Sequence, residues 1–207
     1  FHFDTRKHLL EYDDIINRHR EVIYGKRRAI LESFASDKTK LREMIFAMVE
    51  AEIEQIVSYH TNAEDRRDWN VGEMTETIQT IFALTDAEKA QINNHAEPGN
   101  QKIDAVTYRN MLIEELMAIA RQKYDAMLVK PAPDPEMLFE IEKQILLRSM
   151  DNLWIEHLVA IDYLRTGIGL RGYGQRDPLI EYKKETYRMF NELLTLIQKE
   201  VVYSIYK

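Results

Sequence analysis

The chain has 207 residues, 45% hydrophobic and 30% charged, a balance that suits a folded protein rather than a disordered one. Its formal net charge of -7 argues against a general nucleic-acid binder, which needs excess Lys and Arg to displace phosphate counterions. Cysteine is absent, which excludes disulfides, thiolate zinc sites and cysteine nucleophiles.

No run approaches the ~20 apolar residues needed to span a bilayer. The chain opens Phe1-His2-Phe3-Asp4 and reads as helix from the start, without a basic-then-apolar leader; it is expected to be a piece of a longer protein. Charge is unevenly placed. Residues 40–100 hold twelve acidic and five basic side chains, which accounts for the whole imbalance. Residues 165–184 run the other way, with Arg165, Arg171, Arg176, Lys183 and Lys184 against Asp177 and Glu181. Such a run is either a solvated face or a docking surface.

Breakers are concentrated. Four of the seven glycines (Gly167, Gly169, Gly172, Gly174) and three of the five prolines (Pro131, Pro133, Pro135) fall in two short segments, so the remainder favours long helices. In residues 1–34, Leu9, Tyr12, Ile16, Ile23, Ile30 and Phe34 recur at multiples of about 3.5, a helical stripe that His19 and Arg27 interrupt. One continuous helix there would be about 50 Å long, a strut on which other elements lean. Ser36-Asp37 reads as the cap of a second helix, whose apolar face is Ile45, Met48, Val49, Ile53, Ile56 and Val57.

Residues 60–105 are the least regular part, with Trp69, Ile78, Ile81, Phe82 and Leu84 among polar residues and a turn signal at Glu97-Pro98-Gly99-Asn100. A further helix carries Tyr108, Leu112, Leu116, Ile119 and Ala120 on one side. The segment Lys130–Pro135 breaks it, because proline fixes its own φ and disfavours helix in the residue before it. From Glu136 onward Leu146, Met150, Leu153, Trp154, Leu158, Ile161, Leu164 and Ile168 form one apolar face. After the glycines comes a second: Tyr182, Met189, Phe190, Leu193, Ile197, Val201 and Ile205. Two amphipathic helices joined by a short loop make an antiparallel hairpin, and the fold class is all-α.

Little in the sequence assembles chemistry. Gly167-Ile168-Gly169-Leu170-Arg171-Gly172 matches G-x-G-x-x-G, but helix precedes it and the next helix begins near Asp177-Pro178, so the strand-turn-helix context of a dinucleotide site is missing. No P-loop sequence occurs. The six histidines are scattered, without His-Glu-x-x-His, and His157 reads as a packing or hydrogen-bonding residue rather than a metal ligand. Asp13 and Asp14, adjacent on a helix, point about 100° apart. The segment 11–14 is better suited to pairing with basic groups on a neighbouring element. The loop displays Leu170, Arg171 and Tyr173, an apolar residue, a cation and an aromatic at an exposed tip, which favours a contact role. A helical adaptor docking through this tip is one reading, and a nucleotide-using enzyme is another.

Three stretches resemble the SecA protein translocase family. Arg6-Lys7-His8-Leu9-Leu10-Glu11-Tyr12-Asp13-Asp14 is similar to the start of its long scaffold helix. Leu153-Trp154-Ile155-Glu156-His157-Leu158 with residues 161–168 is similar to the first arm of its two-helix finger. Leu170-Arg171-Gly172-Tyr173-Gly174-Gln175-Arg176-Asp177-Pro178 with Glu181-Tyr182-Lys183 is similar to the tip and second arm. The middle, 38–134, is similar by position, around Trp69. Ile161 stands where the family often has Met, and Gly174 where it often has Ala.

The resemblance implies a scaffold helix over 1–37, a helical wing over 38–134, and a second scaffold part with the finger over 135–207, its tip about 166–178. It implies a module without catalytic residues, cofactor or metal of its own, taken from an ATPase that uses ATP and Mg. The nucleotide-binding and preprotein-binding domains would precede residue 1, and a tail would follow residue 207. It implies as partners the SecY channel, an unfolded preprotein, those other domains and an anionic membrane surface. Nucleic acid is not among them. The expected location is the cytoplasm, peripherally on the inner face of the plasma membrane. Leu170, Arg171, Tyr173, Gln175 and Arg176 would contact substrate and channel. A strut parted from the motor domains that normally cover it is also expected to self-associate.

Overall fold

The computed structural model describes residues 2–96, 104–129, 135–171 and 177–207. Among these the elements are helical and no strand occurs, as the helical periods predict. The helices are α1 (His2–Ser36), α2 (Lys38–His60), α3 (Val71–Gln79), α4 (Asp86–Ala96), α5 (Ala105–Val129), α6 (Pro135–Arg171) and α7 (Pro178–Ile205), with a 3-10 turn at Arg66–Asp68.

Contacts divide the chain into two compact units, Phe1–Lys38 with Lys143–Ile197, and Thr39–Glu142 with Gln198–Lys207. Helices α6 and α7 therefore each give residues to both.

The first unit holds α1 and most of the α6–α7 pair. α1 runs for 35 residues without a break, so the interrupted stripe is indeed one helix. Its stripe buries Ile23 and Ile30, while α6 contributes Leu146, Met150, Trp154, Ile161 and Ile168, and α7 contributes Leu179, Tyr182, Phe190 and Leu193. Ile161, Ile168 and Tyr182 form a buried cluster against which Tyr12, Ile15, Ile16, Leu164 and Met189 pack. Pairing of Ile168 with Tyr182 and of His157 with Phe190 makes α6 and α7 antiparallel. α7 starts where its sequence says it should: Asp177 Oδ1 accepts the Leu179 amide at 2.8 Å and Pro178 takes the first helical position, which needs no amide donor.

The second unit packs α2, α3, α4 and α5 with the start of α6 and the last residues of α7. Leu41, Ile45, Val49, Ile53, Met74, Ile78, Ile92, Leu112, Leu116, Val201 and Val202 are among its most buried apolar side chains. Asp37 precedes α2 at the capping position, but the Ser36 hydroxyl turns back to the Glu32 carbonyl of α1 at 2.7 Å. The irregular stretch after α2 is ordered by side chain to backbone bonds. Arg109 of α5 donates from Nε to the Thr61 carbonyl at 2.9 Å, covering an orphan acceptor at the end of α2. Trp69 Nε1 donates to the Ala63 carbonyl at 3.0 Å, and the Arg66 guanidinium lies 3.8 Å from the centre of the Tyr108 ring.

Two acids are buried in this unit. Glu52 Oε1 accepts from the Tyr203 hydroxyl at 3.5 Å and lies 3.9 Å from Lys199 Nζ. Glu142 is held by Arg42 Nε at 3.3 Å, and burial pushes its carboxyl up against the opposing pull of that cation.

Leu112 is fully buried at the centre of this core whereas Tyr59 is 73% exposed. Leu112→Ala is expected to cost about 2–5 kcal/mol and Tyr59→Ala under about 0.5 kcal/mol, read from urea denaturation of the second unit.

Candidate functional site

The hairpin and the face of α1 beneath it are built around three polar rungs in an otherwise apolar seam. At the first, the Tyr12 ring meets Tyr182 edge-on, centroids 4.5 Å apart, and Arg165 of α6 lies 3.9 Å from Asp13 and 2.9 Å from Asp162. The acidic segment 11–14 does pair with a basic group on another helix. Its neighbour Asp14 instead pairs within α1, with Arg18 at 3.7 Å.

At the second rung, His19 is stacked on Phe190 at 4.1 Å, and its Nδ1 lies 3.3 Å from His157 Nε2. His157 in turn stacks on Trp154 at 5.6 Å. At the third, Arg27 Nε is 3.1 Å from Asp151 Oδ1. The two residues that interrupt the α1 stripe thus both have polar partners on α6. Since 12 faces 182, 19 faces 157 and 190, and 27 faces 151, α1 runs parallel to α7 and antiparallel to α6.

The electrostatics follow from burial. Desolvation lowers His19 to about 4, with His157 beside it adding to the fall, and burial also lowers His157. Both rings are therefore neutral at pH 7, one nitrogen donating and the other accepting. Burial pushes the Tyr182 phenol up to about 12, with Arg165 pulling the other way and Asp13 adding to the rise. The Tyr182 hydroxyl is buried and has no hydrogen-bond partner among the described residues.

Of the residues assigned to the tip, α6 carries the backbone of Leu170 and Arg171 to the end of the helix, and their side chains lie outside the described residues. Tyr173, Gln175 and Arg176 lie outside them altogether. The first two glycines of the cluster are inside α6. At Gly167 an added Cβ would meet nothing within 4 Å, so crowding does not demand glycine there.

Two shallow grooves flank the seam. One, of about 620 Å³, lies between α1 and α6 and is lined by Tyr24, Arg28, Leu31 and Ile155 beside the Arg27–Asp151 pair. The other, of about 450 Å³, lies between α1 and α7 and opens onto His19, Val22, Lys183 and Tyr187. No group of three or more potential metal ligands occurs among the described residues, and no described helix is long and apolar enough to cross a membrane.

A long strut with an antiparallel helical hairpin laid along it defines an all-α scaffold. The family model for the SecA Wing and Scaffold domain matches residues 1–207, and the chain belongs to that family. It is 40% identical over its full length to a protein translocase subunit SecA of Dehalococcoides mccartyi, 36% identical over 99% of its length to one of a Geobacter species, and 35% identical over its full length to one of a Picosynechococcus species. The chain spans about a fifth of the length of these relatives.

Tyr182→Phe removes the partnerless hydroxyl and keeps the ring, and is expected to raise the stability of the first unit by about 1 kcal/mol in a thermal melt. Arg27 and Asp151 are 41% and 44% exposed, so a double-mutant cycle on that pair is expected to give under about 1 kcal/mol of coupling.

Proposed function

We propose that this chain is the wing and scaffold part of an ATP-driven protein translocation motor, in which the α6–α7 hairpin works as a mechanical finger. The observation that carries the reading is the match of the SecA wing and scaffold family to the whole chain, with that hairpin laid along one long helix. The finger contacts an unfolded preprotein and the cytoplasmic mouth of the SecY channel, and α1 couples it to the nucleotide-binding and preprotein-binding domains of the longer protein. ATP and Mg belong to those domains, so this part carries no hydrolytic residue. The longer protein works in the cytoplasm, held peripherally at the membrane.

The chemistry of the tip residues supports this role. Unfolded substrates vary in sequence, so a tip cannot rely on one shaped pocket. The Tyr173 ring offers apolar area with one polar handle, usable against many side chains. Leu170 adds apolar surface and Gln175 a neutral hydrogen-bonding group. Arg171 and Arg176 suit acidic channel loops or anionic head groups, each worth ~1 kcal/mol at a membrane surface. The hairpin is held against α1 close to its tip, where Tyr12 meets Tyr182 and Arg165 meets Asp13, so displacement of α1 is passed to the finger rather than absorbed.

The test uses the full-length gene product that carries this chain, assayed for transport of a preprotein into membrane vesicles beside a thermal melt of each variant. Tyr173→Ala is expected to reduce transport several-fold with an unchanged melt and unchanged basal ATPase, and Tyr173→Trp to retain more activity than Tyr173→Ala. Transport at the parent rate by Tyr173→Ala would overturn the contact role, and a loss of transport accompanied by a much lower melt would make the tyrosine structural.

A further inference from the structure

The proposed mechanical role uses the second rung for register and not for its proton chemistry. Two imidazoles on different helices meet nitrogen to nitrogen at 3.3 Å, sandwiched between Phe190 on one side and Trp154 on the other. His19 is 8% exposed and His157 6%. A neutral pair satisfies itself with one shared hydrogen bond, one ring donating and one accepting. Placing a proton on the acceptor nitrogen ends that bond, because both facing nitrogens then carry hydrogen, and it leaves a cation among aromatic rings.

The surrounding charges do little to compensate. From α1 the neighbouring groove carries Glu11, Asp14 and Arg18, and from α7 it carries Lys183, two carboxylates against two cations. Asp14 is paired with Arg18. On α6, Asp151, six residues before His157, is held by Arg27, and Glu156 beside His157 is exposed. Among the described residues His157 is the charge neighbour that shifts His19, and it does so in the same direction as burial.

We propose that the His19–His157 pair is an acid-sensitive latch in the first unit: its protonation releases α1 from the α6–α7 hairpin while the second unit stays folded.

The direction follows from linkage. An unfolded histidine takes up its proton near 6.5, whereas folded His19 resists until about 4. Between those values the released state binds protons that the closed state refuses, so closure weakens as the pH falls. The loss is about tenfold in the closed-to-open ratio per pH unit for each histidine held neutral, and about a hundredfold for both. In the second unit Glu142 runs the other way over the same range, while Glu88, where burial is outweighed by hydrogen bonds from Lys123 and Thr85, is lowered and keeps its contribution until the pH falls into the ordinary carboxylate range. Burial raises Glu142, so acid protonates it in the folded state first and favours that state. Asp104, lowered by the hydrogen bonds it accepts from Thr107, keeps its contribution until the pH falls below the ordinary carboxylate range.

The chain's two tryptophans report the two units separately, Trp154 in the first and Trp69 in the second. The test is an NMR titration of the chain from pH 7.5 to 4, following the imidazole signals and the two indole N–H resonances. Both imidazoles of the pair are expected to titrate below 6.5, His19 near 4, and the Trp154 indole to lose its native shift as they do, while that of Trp69 keeps its own. An ordinary histidine midpoint for either ring, or loss of both indole signals at one pH, would overturn the proposal. In the His19→Gln/His157→Gln double variant the acid midpoint for Trp154 should fall by at least one pH unit. An unchanged midpoint in a folded double variant would equally overturn it, and should that variant fail to fold, the parent titration alone decides.

Discussion

The first unit depends on a seam that is apolar by composition and polar by register. Ile23 and Ile30 supply burial along α1, but burial alone would tolerate a slide of one helical turn along α6, since a stripe of aliphatic side chains looks much the same after such a shift. Hydrogen bonds and ring contacts do not tolerate it. Moving α1 by one turn would separate His19 from His157 and Arg27 from Asp151 together, leaving two imidazoles without partners inside the seam. The rungs therefore contribute less to the magnitude of stability than to the uniqueness of the arrangement. In the proposed mechanical role, fixed register is the property that matters.

The second unit solves a different problem with different means. The stretch after α2 is irregular and side chains close it: Arg109 covers the carbonyl end of α2 and Trp69 ties the following loop, while Tyr206 at the end of the chain donates to the Ala120 carbonyl within α5 at 3.3 Å. Two carboxylates lie inside it, each with one oxygen bonded and one without a hydrogen-bond partner among the described residues. Such groups are costly, and their presence gives this unit an electrostatic character distinct from the aromatic and imidazole packing of the first.

Much of the fold was legible because it is written in period. The single strut, the two arms of the hairpin and the start of α7 at Asp177-Pro178 all follow from spacing and breakers. Helix α4 did not, because Ile92 is the only fully buried aliphatic among its described side chains and no apolar stripe marks it. A signal was present all the same. Thr85 and Glu88 form a capping box, the Glu88 amide reaching Thr85 Oγ1 at 3.3 Å and the Thr85 amide reaching Glu88 Oε2 at 2.6 Å, and the Thr-x-x-Glu spacing was there to be read. His19 and Arg27 stood out as interruptions, yet their partners could not be named, since residues 138 and 124 positions away are joined only by the tertiary fold. Leu170, Arg171 and Tyr173 were singled out from the composition of the loop and Gln175 and Arg176 through the family resemblance; the side chains of all five lie outside the described residues.

The second unit is assembled from two stretches of chain, and the later one is Gln198–Lys207. Those ten residues bring Val201, Val202 and Ile205 into its core and set Tyr206 against Phe82, ring centres 5.2 Å apart. A ribosome delivers the chain from one end. The helices α2 to α5 thus emerge long before the residues that complete their core, and they wait with that gap open while all of α6 and most of α7 is made. The interval is a property of the order of the segments rather than of any one contact. It is the period in which a nascent-chain chaperone would find exposed apolar surface on this protein.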